Sequence, residues 1–380
     1  MEKRPSPSTT GIRLSRLTIE NYKKLDHLEI DFPPPLMEGD LDIMVLGSKN
    51  GGGKTSVLEC CSLVTLAGAT GKPTRMRESD GGPIAEILSL LVTAGCEKSV
   101  IVGDFEQDSK RCKVTLTISR KGFDGPQIAG DSSIFDMFRR PDDLRQFWLG
   151  GVDQALNSIL ALWSEPLVMP PLLHFNSYRK VQEANPELGM IAADYDTEPR
   201  SSFAGRIYSG SIARRSVMSA VSAFKLEILR SLMGKASLFE GLDNRESADV
   251  LDTVNGLIDR YCGGRIEKLG SLPGNRADLR IKLNNSPHSL SFNGLSSGQK
   301  EIIATLFLIW RNTAEQPGIV LIDEPELHLN AEWHGDFVEQ LRKLAPRNQY
   351  ILATHSEEIF RSVDESRRAL LVPDDIGSAR

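Results

Sequence analysis

Residues 41–56 read "LDIMVLGSKNGGGKTS", and no other stretch of the chain limits the possible folds so tightly. The apolar run ending at Gly47 predicts a strand buried on both faces. A helix is predicted from Lys54 to about Ala69, directly after the glycines. A glycine-rich turn between a buried strand and a helix start leaves several backbone N–H groups without intrahelical partners. Such a turn can close around phosphate. Asn50, Gly51, Gly52 and Gly53 would offer backbone donors, Lys54 would bridge the β- and γ-phosphates, and the Thr55 hydroxyl could ligate Mg²⁺, with Ser56 beside it. The match to G-x-x-x-x-G-K-T is incomplete: Ser48 stands at the leading position, and Gly47 comes one residue early. A turn that merely starts a helix is the alternative reading.

The flanking pattern places this loop beside a sheet. "IRLSRLTIENY" and "LDHLEIDF" alternate apolar and polar residues, as strands do. "KSVIVGDFEQ" and "RCKVTLTISRKG" read as a hairpin around Asp108, so a mostly antiparallel sheet is expected next to residues 47–55. The middle is less regular, with turn-rich "SEPLVMPP" and "DYDTEPRSSFAG" and helices expected near 215–234 and 246–262. Val217, Val221, Phe224, Ile228 and Leu232 give the first of these helices one core face. From 295 onward helices alternate with the strands "GIVLIDE", "QYILATH" and "ALLVP", the pattern of a parallel sheet covered by helices. The expected fold is α/β. Its divisions are a disordered lead-in (1–10), an N-terminal half with the glycine loop (11–124), a mostly helical insertion (125–290) and a C-terminal half (291–380).

Bulk properties exclude little and direct attention to one segment. The chain is 40% hydrophobic and 25% charged, with a net charge of −6, so overall charge does not suggest nonspecific nucleic-acid binding. No apolar run reaches the length of a membrane span, and the N-terminus lacks a signal-like apolar stretch. A cytoplasmic protein is expected, with no membrane partner. The five cysteines lack metal-ligand spacing, which fits reduced thiols. Residues 200–235 hold seven basic residues, among them Arg206, Arg214 and Arg215, against the single acid Glu227. That +6 stretch could contact nucleic acid, dock an acidic protein, or be a solvated helix face.

Three further motifs carry chemistry. "GIVLIDEPELHLN" (318–330) is a buried strand that ends in two acids, at the sheet edge where open parallel sheets bind ligands. Neighbouring strand residues point to opposite sides, so Asp323 is expected to hold Mg²⁺ while Glu324 orients or polarises a water. Two solvated acids at a strand end would look the same. "QYILATHSEE" (349–358) presents His355 at the end of what is expected to be the adjacent strand, within reach of a γ-phosphate. "FNGLSSGQKE" (292–301) places Ser296, Ser297, Gly298 and Gln299 ahead of an apolar helix containing Ile302, Ile303, Leu306 and Phe307. Such residues usually just cap a helix.

Taken in order, the glycine loop, L-S-x-G-Q, the strand with D-E and the strand with His resemble the ATP-binding heads of the ABC class. SMC proteins, RecF and the OLD-family ATPases are relatives of that kind. The resemblance covers roughly residues 11–70 and 290–375. It implies ATP and Mg²⁺ as ligands, hydrolysis through Glu324 and His355, and a homodimer of heads meeting face to face. In that dimer Ser296, Ser297, Gly298 and Gln299 would reach the partner's nucleotide. Ser297 replaces the second letter of the commoner L-S-G-G-Q. "DEPELHLN" is similar to the OLD-like pattern D-E-P-E-x-H-L-H-P, with Asn330 at a position where His is usual. Only 25 residues follow His355, fewer than a Toprim nuclease domain needs, so a separate effector, a nuclease by expectation, would do any cutting. The implied role is that of the ATPases of bacterial anti-phage systems such as PARIS, Septu and retrons. The alternative is a RecF-like repair ATPase that binds DNA directly.

Overall fold

The computed structural model describes residues 11–37, 39–48, 52–70, 89–120, 122–138, 167–169, 171–177, 181, 185, 223–235, 244–274 and 276–371. The chain divides into two compact units, one of residues 1–178, 312–327 and 331–380, the other of residues 179–311 and 328–330.

The first unit opens with the hairpin β1 (Arg13–Tyr22) and β2 (Leu25–Asp31), followed by β3 (Asp42–Ser48) and α1 (Lys54–Thr70). Next come β4 (Lys98–Gln107), β5 (Lys110–Ser119) and β6 (Gly122–Gly130), then β7 (Leu167–Met169) and β8 (Leu172–Phe175). β2, β1, β4, β5 and β6 form one antiparallel sheet in that order. The alternation read from sequence has its physical counterpart here: Leu14, Leu17 and Ile19 of β1 and Val114, Leu116 and Ile118 of β5 are buried. Asp108 turns the β4–β5 hairpin in the left-handed region at φ 53, a conformation that Asp tolerates better than most residues.

In the second unit the described elements are α2 (Ala223–Lys235), α3 (Asn244–Cys262), β9 (Gly264–Leu272), β10 (Arg276–Leu283), β11 (Ser289–Ser291) and α4 (Ser297–Thr313). The strands make a three-stranded antiparallel sheet, β11-β10-β9. An aromatic cluster forms its core: Phe224 of α2 lies 5.1 Å from Phe292 and 5.3 Å, edge to face, from Phe307 of α4. Within the +6 stretch, Lys225 is no part of a solvated face. It is buried and donates to Asn293 Oδ1 at 2.6 Å. Val217, Val221, Arg206, Arg214 and Arg215 lie outside the described residues.

The chain then supplies β12 (Ile319–Asp323), α5 (Ala331–Leu344), β13 (Gln349–Thr354), α6 (Glu357–Arg361) and β14 (Arg368–Leu371) to the first unit. The second sheet of that unit runs β14-β3-β13-β12-β8-β7, parallel except for β7. α1 contacts strands of both sheets, so Val57, Leu58, Cys60, Cys61, Val64 and Leu66 are all buried, as in a helix enclosed on most sides. Gln349 of β13 holds the sheets together: its side-chain amide accepts from Leu14 N at 2.8 Å and donates to Leu14 O at 2.7 Å. Arg13 adds an ion pair to Asp42 at 2.9 Å, which accounts for that acid of "DLD" at 40–42.

The middle of the chain holds more strand than its sequence pattern suggests. "SEPLVMPP" contains β7, and the four residues of β8 lie in the central sheet between β12 and β7. Four buried residues are too few to show a period; partners on both sides make them a strand.

Candidate functional site

The glycine loop, the two acids and the histidine converge because β3, β13 and β12 are adjacent and parallel, so their carboxyl ends share one edge. A cavity of about 840 Å³ opens there, lined by Gly52, Gly53, Lys54, Thr55, Ser56, Glu324 and His355. Asn50 and Gly51 lie outside the described residues. Gly53 has φ +83, and a Cβ at that position would lie 2.6 Å from Leu25 Cδ2, so both backbone conformation and close approach call for glycine.

Lys54 is buried, and its Nζ lies 2.8 Å from His355 Nε2. Burial pulls its ammonium below the usual lysine value, while Glu324, Asp323 and Glu326 oppose that shift. Anionic phosphate oxygens placed beside this cation would favour its charged form. Glu324 Oε1 lies 3.4 Å from His355 Nε2, so lysine, histidine and glutamate form a continuous row along the cavity wall. Glu324 adopts φ 46, unusual for a residue with a side chain, and its N–H donates to Ala353 O at 2.7 Å. That bond holds the acid at the end of β12 beside the strand that leads to His355.

The Thr55 hydroxyl donates to Asp323 Oδ2 at 2.9 Å, and Asp323 is almost fully buried. A hydroxyl and a carboxylate brought together at the helix start are hard oxygen donors of the kind Mg²⁺ takes, with its remaining positions open to phosphate and water. The donor set therefore fits the ion.

Ser296, Ser297, Gly298 and Gln299 belong to the second unit. There they build a capping box on α4: Gln299 N donates to Ser296 Oγ at 3.2 Å, and Ser296 N donates to Gln299 Oε1 at 3.0 Å. Ser296 and Ser297 are exposed, and the Ser296 hydroxyl keeps its own hydrogen to donate. Gly298 is buried, and a Cβ there would stand 2.0 Å from His328 O.

Sequence reasoning missed part of the cavity. Lys23 and Lys24 on the β1–β2 turn and Arg120 after β5 line it, as do Ser89, Leu90, Val92 and Ala94. Lys23 is held there by Glu59 of α1, which also accepts from Tyr22. Two adjacent lysines between two predicted strands, "NYKKLDH", were the available signal.

The family described as "AAA domain, putative AbiEii toxin, Type IV TA system" matches residues 191–361, and "AAA domain" matches residues 16–147. Over these two stretches the chain is similar to AAA domains. It is also similar to "Retron Ec83 probable ATPase" of Escherichia coli, 34% identical over an alignment of 106 residues that covers 25% of the chain and 20% of that protein. It is also similar to Septu protein PtuA of Bacillus mycoides, 34% identical over 88 residues, 21% of the chain and 12% of PtuA. The chain thus matches a fifth or less of the length of these relatives. An SMC head bound to the C-winged helix domain of ScpA overlays with a TM-score of 0.49 at 12% identity, over 92% of each chain. Among the described residues, no helix is long and apolar enough to cross a membrane.

Proposed function

We propose that this chain binds and hydrolyses ATP, and that two copies meet head to head so that hydrolysis changes their arrangement and thereby holds or releases a separate effector. The observation that carries the reading is the convergence of Lys54, Thr55, Asp323, Glu324 and His355 at one sheet edge, with Thr55 and Asp323 2.9 Å apart and Glu324 3.4 Å from His355. Backbone donors of Gly52 and Gly53 and the Lys54 ammonium bind the phosphates. Thr55 and Asp323 hold Mg²⁺, which neutralises charge on the β- and γ-phosphates when bound. Glu324 orients the attacking water and takes its proton, and His355 beside it donates to the γ-phosphate.

Ser296 and Gly298 serve the partner's γ-phosphate, and the positive end of α4 adds to their effect. Each γ-phosphate then touches two subunits, so its loss removes contacts at the interface itself. The similarity to a retron ATPase and to Septu PtuA supports an anti-phage role, and a nuclease is the effector that this reading assigns.

Phosphate release with Mg²⁺ tests the chemistry. Lys54→Ala should lose ATP binding, because it removes the cation that offsets phosphate charge. Glu324→Gln should bind ATP normally but turn over about 10²-fold more slowly or worse. Hydrolysis by Glu324→Gln at the wild-type rate would overturn the assignment of the acids. Co-purification with a nuclease supports effector control, whereas tight, salt-dependent DNA binding by the pure protein would favour a repair ATPase.

A further inference from the structure

We infer that Glu326 is a positioning residue: it fixes the loop bearing His355, and through that loop sets where the imidazole stands beside Glu324. The inference rests on the proposed role of His355 in hydrolysis. Glu326 does not line the nucleotide cavity. Its carboxylate faces the loop after β13 and accepts from three consecutive residues: Thr354 Oγ1 at 2.7 Å, His355 N at 2.5 Å and Ser356 N at 3.1 Å. An ionised carboxylate accepting from two backbone N–H groups and a hydroxyl makes charge-assisted bonds, stronger than neutral ones.

The three donors lie where β13 ends and α6 begins, so no ladder or helix bond is available to the His355 N–H. Thr354 Oγ1 also accepts from Ser356 N at 2.9 Å, and Ser356 Oγ accepts from Ile359 N at 3.3 Å as the cap of α6. Glu326 therefore determines the position of a loop whose far side is already tied to the helix. On the other side, Leu327 N donates to Glu324 O at 3.0 Å, closing a turn that carries both acids. One acid of that turn faces the cavity and the other grips the histidine loop. With the Glu324 N–H bonded to Ala353 O, this turn therefore links the position of Glu324 to that of the His355 loop. By contrast, the imidazole is partly exposed and, among the described residues, its side-chain partners are Lys54 and Glu324, so side-chain packing contributes little to its placement.

Glu326→Ala and Glu326→Gln test the inference by two independent readouts. The first needs no catalysis. The chain has six histidines, and the His355 imidazole resonances can be assigned by their loss in His355→Ala. In nucleotide-free protein, Glu326→Ala should shift or broaden the His355 signals and leave those of exposed His27 and His288 in place. Glu326→Gln, which keeps an oxygen for the N–H donors, should move them less. The second readout is steady-state phosphate release. Glu326→Ala should lower kcat about tenfold or more with KM for ATP changed less than about twofold, and Glu326→Gln should recover part of the loss. In a His355→Ala background, Glu326→Ala should cost nothing further. Unmoved His355 resonances would overturn the inference, as would the same fold-loss in kcat with and without His355. A wild-type protein that fails to hydrolyse ATP would refute the ATPase reading, and the resonances would still decide the role of Glu326.

Discussion

His174 ties acid stability to α1, the helix that follows the glycine loop. It lies on β8 opposite Leu321 of β12, is buried, and meets Ser62 Oγ of α1 through Nδ1 at 2.8 Å. Its Nε2 is buried without a hydrogen-bond partner among the described residues. Burial penalises the charged ring and pulls its pKa from 6.5 to about 4. Between those values the unfolded chain takes up a proton that the folded protein refuses. The stability contributed by neutral His174 is therefore complete above pH 6.5 and drains away as pH falls toward 4. A drop of about 2.5 pH units is worth roughly 3 kcal/mol in full, of which about 2 kcal/mol is lost between pH 7.5 and 5.0.

The perturbation is His174→Asn, whose amide can still meet Ser62 but cannot titrate. Urea unfolding followed by circular dichroism at pH 7.5 and 5.0 measures the loss in each protein. The smaller side chain destabilises at both pH values, so its cost cancels in the comparison. Wild type should lose about 2 kcal/mol more than the variant on acidification. Equal losses in the two proteins would refute the argument.

Other expectations concern the signature loop. Ser296→Arg alone should bind nucleotide but not hydrolyse it, and mixing it with Lys54→Ala should restore activity, because one composite site of the mixed dimer carries neither defect. Silence from mixed dimers shown to form would argue against action in trans. Gly298→Ala should lower the melting temperature, at an overpacking cost of about 1–3 kcal/mol, since the added methyl would stand 2.0 Å from His328 O. A variant melting at the wild-type temperature would mean that this approach relaxes freely.

Much of the architecture was legible because local patterns carried it. Period-two alternation marked β1, β2, β4 and β5, and the strand–glycine–lysine–helix order marked β3 and α1. The elements bearing Asp323, Glu324 and His355 were legible too, since buried parallel strands read as continuous apolar runs. Ser296 and Gln299 could be read as a helix start, and they form the reciprocal caps that spacing of three allows.

What the tertiary structure alone decided lies between elements far apart in the chain. β8 became a strand by lying between β12 and β7, Lys23 reached the cavity beside Lys54 through the fold of a hairpin, and Lys225 was withdrawn from its basic stretch into a bond with Asn293. Glu326 stood in the sequence only as a letter of the D-E-P-E pattern, without a role, until β13 brought residues 354–356 within hydrogen-bond reach. Hydrophobic periodicity reports which face of an element is buried. It is silent on which polar groups meet, because a hydrogen bond depends on distances of a few tenths of an ångström that only the packed chain sets.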